Sequence, residues 1–169
     1  AFLYSGFEKN ITPETYVETV QDNTFTNSLK KYEVQEGDVF FLPAGRVHAI
    51  GAGCFIAEIQ QTSDITYRIY DYNRKDANGN SRELHTVLAK DAIDYKISDS
   101  YKTNYEKNTN QPVDLVSCPY FTTRLLEADI PMTRQYANLD SFVIYICMAG
   151  HCTNKDDKGN SEFLGQGES

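Results

Sequence analysis

Glu36–Arg74, reading EGDVFFLPAGRVHAIGAGCFIAEIQQTSDITYRIYDYNR, limits the fold more than any other part of the chain. Two apolar runs, Val39–Leu42 and Cys54–Ile59, flank a segment punctuated by Pro43, Gly45, Gly51 and Gly53, and a third run, Ile65–Tyr70, follows Gln60, Gln61, Ser63 and Asp64. Short runs rich in β-branched and aromatic residues and bounded by Gly and Pro predict strands joined by turns. His48 falls in the turn and Arg68 in the third run. An imidazole at a strand mouth, with polar side chains on adjacent strands, is a candidate site.

The remaining chain extends the β reading. Val113–Ser117, Tyr120–Ala128, Met132–Tyr136, Ser141–Met148 and Glu162–Leu164 are further strand-like runs, and their close spacing predicts a β-sandwich or barrel. Residues 10–32 read as helical instead. Thr12 can cap, Pro13 suits the first helical position, and Tyr16, Val17 and Val20 form an apolar stripe. A break at Asp22–Thr24 divides this region into two short helices, the second carrying Phe25 and Leu29. Lys75–Ser81 is a polar turn, Glu83–Tyr95 a short helix and Asp156–Asn160 a second polar turn. Residues 96–112 are polar and nearly free of aliphatic side chains, which predicts a linker.

Composition narrows the partners. A chain of 169 residues with 40% hydrophobic and 24% charged residues is a folded globular protein rather than a disordered one. Its formal net charge of −8 argues against nucleic acid and anionic membrane surfaces, since phosphates are bound mainly by Lys and Arg. No apolar run reaches the roughly 18–20 residues that a spanning helix needs, so no membrane partner is expected. Ala1–Asn10 lacks the basic start and long apolar centre of a signal peptide. Cys54, Cys118, Cys147 and Cys152 form no CxxC pair. Four free thiols in a reducing compartment, and hence a cytoplasmic protein, are the expectation.

Several side chains could carry chemistry. Neutral imidazole is the commonest metal ligand, so His48 reads either as a structural histidine or as a ligand. Strand alternation places Arg68 on one face with Thr66 and Tyr70. It reads as an exposed arginine, as an ion pair with Asp64 or Asp71, or as a guanidinium fork for a phosphate or an enediolate oxygen. His85, at a helix start, reads as a capping or packing residue; His151 beside Cys152 is a weak metal signal. Glu36, Asp38 and Glu58 are candidate carboxylates, with Glu58 expected to be partly buried and paired.

GDVFFLPAGRVHAIGAG followed by EIQQTSDITYRIYDYNRKDANGNSRELH closely resembles the class I mannose-6-phosphate isomerases of the short bacterial kind. VIYICMAGHCTNKDDKGNSEFLGQGES looks like the opening of that family's second barrel. The resemblance implies a mainly β, cupin-type jelly roll with short helical insertions. It implies a first barrel incomplete on its N-terminal side and a second incomplete on its C-terminal side. Residues 1–95 would be the C-terminal half of the first, catalytic cupin domain, 96–112 the linker, and 113–169 the start of the second domain.

The implied activity is that of a zinc-dependent aldose–ketose isomerase. It interconverts mannose 6-phosphate and fructose 6-phosphate by proton transfer between C1 and C2 through a cis-enediolate. The resemblance makes His48 a zinc ligand and Arg68 the catalytic arginine near the sugar phosphate. Zn, Co and Mn all suit such nitrogen and oxygen ligands. The family's QxHP-like and KTE-like motifs, which carry its other ligands, do not occur here. A catalytic zinc takes about three protein ligands. The chain is therefore expected to be an internal piece of the isomerase with little or no activity alone. The rival reading is a non-catalytic cupin-like sugar-phosphate-binding or assembly module. Half-barrels leave strand edges open, so a homodimer through those edges is expected.

Overall fold

The computed structural model describes residues 1–62, 65–72 and 74–169. Two compact units are present, Ala1–Ile130 and Pro131–Ser169. Both are mainly β, and their sheets are small and unclosed.

The first unit is built on β1 (Phe2–Phe7), the middle strand of an antiparallel sheet. β2 (Leu29–Glu33) lies on one side, with Leu3 opposite Tyr32 and Tyr4 opposite Lys31. A break in the register between Tyr4 and Phe7 coincides with Gly6, whose φ of 66° suits glycine. Between those two strands runs the helical excursion. α1 (Pro13–Gln21) is capped by Thr12, whose hydroxyl accepts from the Thr15 N–H while Thr15 Oγ1 accepts from the Thr12 N–H. The helix ends at Asp22, and Asn23 turns the chain with φ 57°.

The break expected at Asp22–Thr24 is therefore present, but the second helix is only a 3-10 turn, Phe25–Ser28. Leu29, expected in that helix, starts β2 and pairs with Phe7. Its apolar side chain serves the same core from a strand.

That core contains Phe7, Ile11, Tyr16, Val20, Phe25, Leu29, Val47 and Ala89. Phe7 stacks on Tyr95 at 5.8 Å, and Phe25 meets Tyr16 edge-on at 5.4 Å. Ala89 belongs to α2 (Thr86–Ala92), a shorter helix than the expected Glu83–Tyr95. Tyr16 donates its hydroxyl to Thr86 O at 3.2 Å, tying α1 to α2.

β3 (Val39–Phe40) pairs with β5 (Lys102–Thr103), and β6 (Val113–Ser117) pairs with β7 (Thr122–Leu125), where Asp114 opposes Arg124 and accepts from it at 2.5 Å. The strand β4 (His48–Ile50) forms the other edge of the β1 sheet. His48, expected in a turn, begins this strand because Gly6 N donates to Val47 O and Ser5 stands opposite His48.

Residues 96–112, expected as a linker, contribute Tyr101, which is only 5% exposed and holds the end of β1. The lack of aliphatics there concealed a buried tyrosine anchored by its hydroxyl.

In the second unit, β8 (His151–Lys155) and β9 (Ser161–Gly165) form a hairpin. Its turn, Asp156–Asn160, repeats the first unit's Asp76–Asn80. In each, the aspartate Oδ1 accepts from backbone N–H groups two and four residues on, and Oδ2 accepts from the asparagine amide. The flanking residues repeat too, KDANGNS against KDDKGNS.

Several expected strands are not strands. Cys54–Ile59, Ile65–Tyr70, Met132–Tyr136 and Ser141–Met148 carry no ladder among the described residues. Phe55 is 72% and Phe142 77% exposed. β propensity expresses fit to a pleated, half-buried surface, and among the described residues these runs have no paired strand to supply one.

Candidate functional site

His48 opens β4 on the face that carries Ser5 and Leu3, because cross-strand partners and alternate residues share a face. Tyr4, on the opposite face, packs against the helical core. The His48 ring is exposed, and its Nδ1 lies 3.0 Å from Arg46 O. A carbonyl only accepts, so Nδ1 carries the proton and Nε2 presents its lone pair. Ser5 beside it is fully buried, and its hydroxyl has no hydrogen-bond partner among the described residues.

Arg68 is half-buried in an extended segment without a sheet ladder. The expected strict alternation fails there: Ile69 and Tyr70 both reach the core. Arg68 is held instead by the chain returning after the Lys75–Ser81 turn. Its backbone N–H donates to His85 Nδ1 at 2.9 Å, and the His85 N–H donates to Arg68 O at 2.7 Å. Its guanidinium Nη1 donates to Glu83 O at 3.3 Å.

Asp71 is not the Arg68 partner. Its buried carboxylate accepts from Arg82 Nε at 2.7 Å, is also bound by Arg82 Nη2, and accepts from Arg74 Nη2 at 2.8 Å. The Arg82 hydrogen bonds, joined by Arg74, lower its pKa to about 2 against the opposing effect of burial. Asp64, the other expected partner of Arg68, lies outside the described residues, as does Ser63.

The other candidates fall elsewhere. Glu58 is exposed, against the expectation of a partly buried, paired carboxylate, because its run never joins a sheet. Asp38 pairs with Lys102 and accepts from the Gln35 N–H. His151 stacks on Phe163 at 5.7 Å. All four cysteines are free thiols. An open depression lined by Phe2, Ile50, Gly51, Ala52, Tyr72 and Arg74 has neither His48 nor Arg68 on its wall.

The chain resembles characterised proteins over much of its length. Mannose-6-phosphate isomerase ManA of Bacillus subtilis is 37% identical over 113 residues, covering 66% of this chain and 36% of the relative. Mannose-6-phosphate isomerase of Streptococcus mutans is 41% identical over 95 residues, 56% of this chain and 30% of that protein. The crystal structure of the mannose 6-phosphate isomerase from Bacillus subtilis matches with a TM-score of 0.78 and 28% identity. That match covers 99% of this chain and 53% of the solved one. The chain is homologous to part of the mannose-6-phosphate isomerases. It spans about a third of the length of these curated relatives and about half of the solved chain. No protein-family model matches. The mainly β, cupin-type fold class follows from the structural match together with the unclosed sheets and two short α-helices.

This homology raises the question of a metal, and the described residues do not make a metal centre. Among the described residues, no group of three or more His, Cys, Asp or Glu side chains stands close enough to hold an ion. His48 supplies one imidazole lone pair, where a catalytic zinc takes about three protein ligands. No helix among the described residues is long and apolar enough to cross a membrane.

Proposed function

We propose that this chain carries one wall of a mannose-6-phosphate isomerase site, with Arg68 as the catalytic cation and His48 as one ligand of a metal, zinc in the family it resembles. The observation that carries this reading is the structural match over 99% of the chain to the isomerase from Bacillus subtilis. Isomerisation of mannose 6-phosphate moves a proton between C1 and C2 and places negative charge on an enediolate oxygen. Arg68 brings a permanent positive charge and a planar fork of N–H donors, and its backbone is fixed at both polar groups before substrate arrives. His48 directs Nε2 away from the backbone, as a ligating histidine does when Nδ1–H is held by a carbonyl.

The chain lacks the remaining ligands among its described residues, so a metal at His48 would need groups beyond them. Alone, it binds the sugar phosphate and turns it over slowly or not at all. The compartment proposed is the cytoplasm, where sugar phosphates and free thiols coexist. The repeated KDxxGNS turn supports reading residues 113–169 as the start of a second, related cupin domain, after a first domain ending at residue 95.

Calorimetry with mannose 6-phosphate tests the reading. Wild-type chain binds and Arg68→Ala does not; equal affinity in the two defeats the assignment of Arg68. Turnover by the zinc-supplemented chain at the rate of a full-length relative would overturn the inactivity.

A non-catalytic assembly module is the second reading, favoured by the exposed apolar run that includes Phe142 and Ile144 at 77% and 63%. It predicts a homodimer through open strand edges. A single monomeric species in light scattering counts against it.

A further inference from the structure

His85 stands at the N-cap of α2, yet its ring makes no capping hydrogen bond. The ring turns to Arg68 instead. Nδ1 accepts the Arg68 N–H at 2.9 Å while the His85 backbone N–H donates to Arg68 O at 2.7 Å. One residue thus engages both backbone polar groups of Arg68. We propose that His85 is a positioning residue for Arg68, fixing the root of the guanidinium through a neutral imidazole with its proton on Nε2. The functional consequence rests on the reading of Arg68 given above.

The geometry makes this more than a packing contact. A ring nitrogen that accepts from an amide must carry a lone pair, so only the Nε2–H tautomer satisfies Arg68. The Tyr67 ring meets the imidazole edge-on at 6.1 Å. His85 is itself fixed from behind. Its carbonyl accepts the N–H of Ala89, which is only 1% exposed, and the adjacent Thr86 carbonyl accepts the Tyr16 hydroxyl. Further along the same two segments, Arg82 clasps Asp71. The returning chain therefore grips the Arg68 segment at two points, one of them anchored in the helical core. This gives the excursion through α1 a use: it seats α2, α2 seats His85, and His85 seats Arg68.

Asparagine places an amide oxygen near the position of Nδ1, whereas glutamine reaches toward Nε2. His85→Asn should keep the acceptor and His85→Gln should lose it. Amide exchange by NMR reads the bond directly. The Arg68 amide exchanges about tenfold faster in His85→Gln than in wild type or His85→Asn, while the Ala89 amide is unchanged. Long-range proton–nitrogen correlation shows an unprotonated Nδ1 in wild type. Mannose 6-phosphate affinity falls in His85→Gln and is rescued in His85→Asn.

Wild-type exchange at Arg68 in His85→Gln, or a protonated Nδ1 in wild type, overturns the inference. Arg68→Lys separates the two readings. If it leaves affinity unchanged, the assignment of Arg68 fails while exchange still decides the His85 bond. If it weakens binding and His85→Gln does not, the positioning role fails alone.

Discussion

Tyr101 fills the volume that a side chain at Gly6 would need: a β-carbon built on Gly6 lies 2.2 Å from Tyr101 Cζ. The two residues lie far apart in the sequence of the first unit, and the tyrosine hydroxyl completes the join. It accepts the Phe7 N–H at 3.2 Å, with Phe7 O and Lys96 O both within reach of its single proton. The Arg46 guanidinium lies 4.3 Å from the ring centroid. A bulge in β1, a buried aromatic and the start of the polar 96–112 segment form one joint at the end of the strand that carries Ser5.

Gly6→Ala should therefore cost about 2–4 kcal/mol, combining the positive φ with forced movement of the Tyr101 ring. Urea denaturation measures the loss. Added to Tyr101→Ala, the same substitution should cost much less, since only the backbone strain remains. Equal costs in both backgrounds would show that the ring does not set the constraint.

Acid should loosen the Asp71–Arg82 clasp, and the sign follows from the direction of the shift. Asp71 titrates at about 2, below its ordinary 3.8, so it stabilises the fold fully above that unfolded carboxylate value. That contribution fades as pH falls from there through about 2. Arg82→Gln removes the leading cause of the shift and should move the Asp71 carboxyl resonance midpoint upward in an NMR titration. A midpoint unmoved by the substitution would contradict the arrangement.

Tyr16→Phe should loosen α2 from α1. The hydroxyl bond to Thr86 O disappears while the buried ring remains, for an expected loss of about 0.5–1.5 kcal/mol in thermal or chemical unfolding. Faster amide exchange at Ala89 should accompany it, since that amide closes the first turn of α2. Unaltered exchange there would mean that α2 is seated by apolar packing alone.

Zinc titration should show no stoichiometric uptake at micromolar concentrations, because His48 stands without a set of neighbouring ligands among the described residues. His48→Ala should change the titration little. Tight one-to-one uptake abolished by that substitution would mean that other groups complete a site around the imidazole.

Local chemistry was legible in the residues. Thr12, Pro13 and the Asp22–Thr24 break mark α1 because capping and chain reversal depend on neighbours within a few positions. The turns around Asn78 and Asp156 were equally plain. His48 and Arg68 stood out by residue type and setting, and their surrounding motifs pointed to the isomerases that the chain resembles. What remained hidden depended on distant partners. Nothing near Tyr101 in sequence announces the gap above Gly6, and nothing in Arg-Glu-Leu-His states that the ring will turn from its own helix to an amide across the hairpin. Arg82, not Arg68, won Asp71 because the returning chain set it opposite.

The opening stretch shows the same division. Its glycines, its imidazole and its arginine are properties of the sequence alone. Whether its apolar runs became strands was decided by tertiary structure, since a strand forms only where another lies alongside. His48 found β1, and Cys54–Ile59 found no strand partner among the described residues.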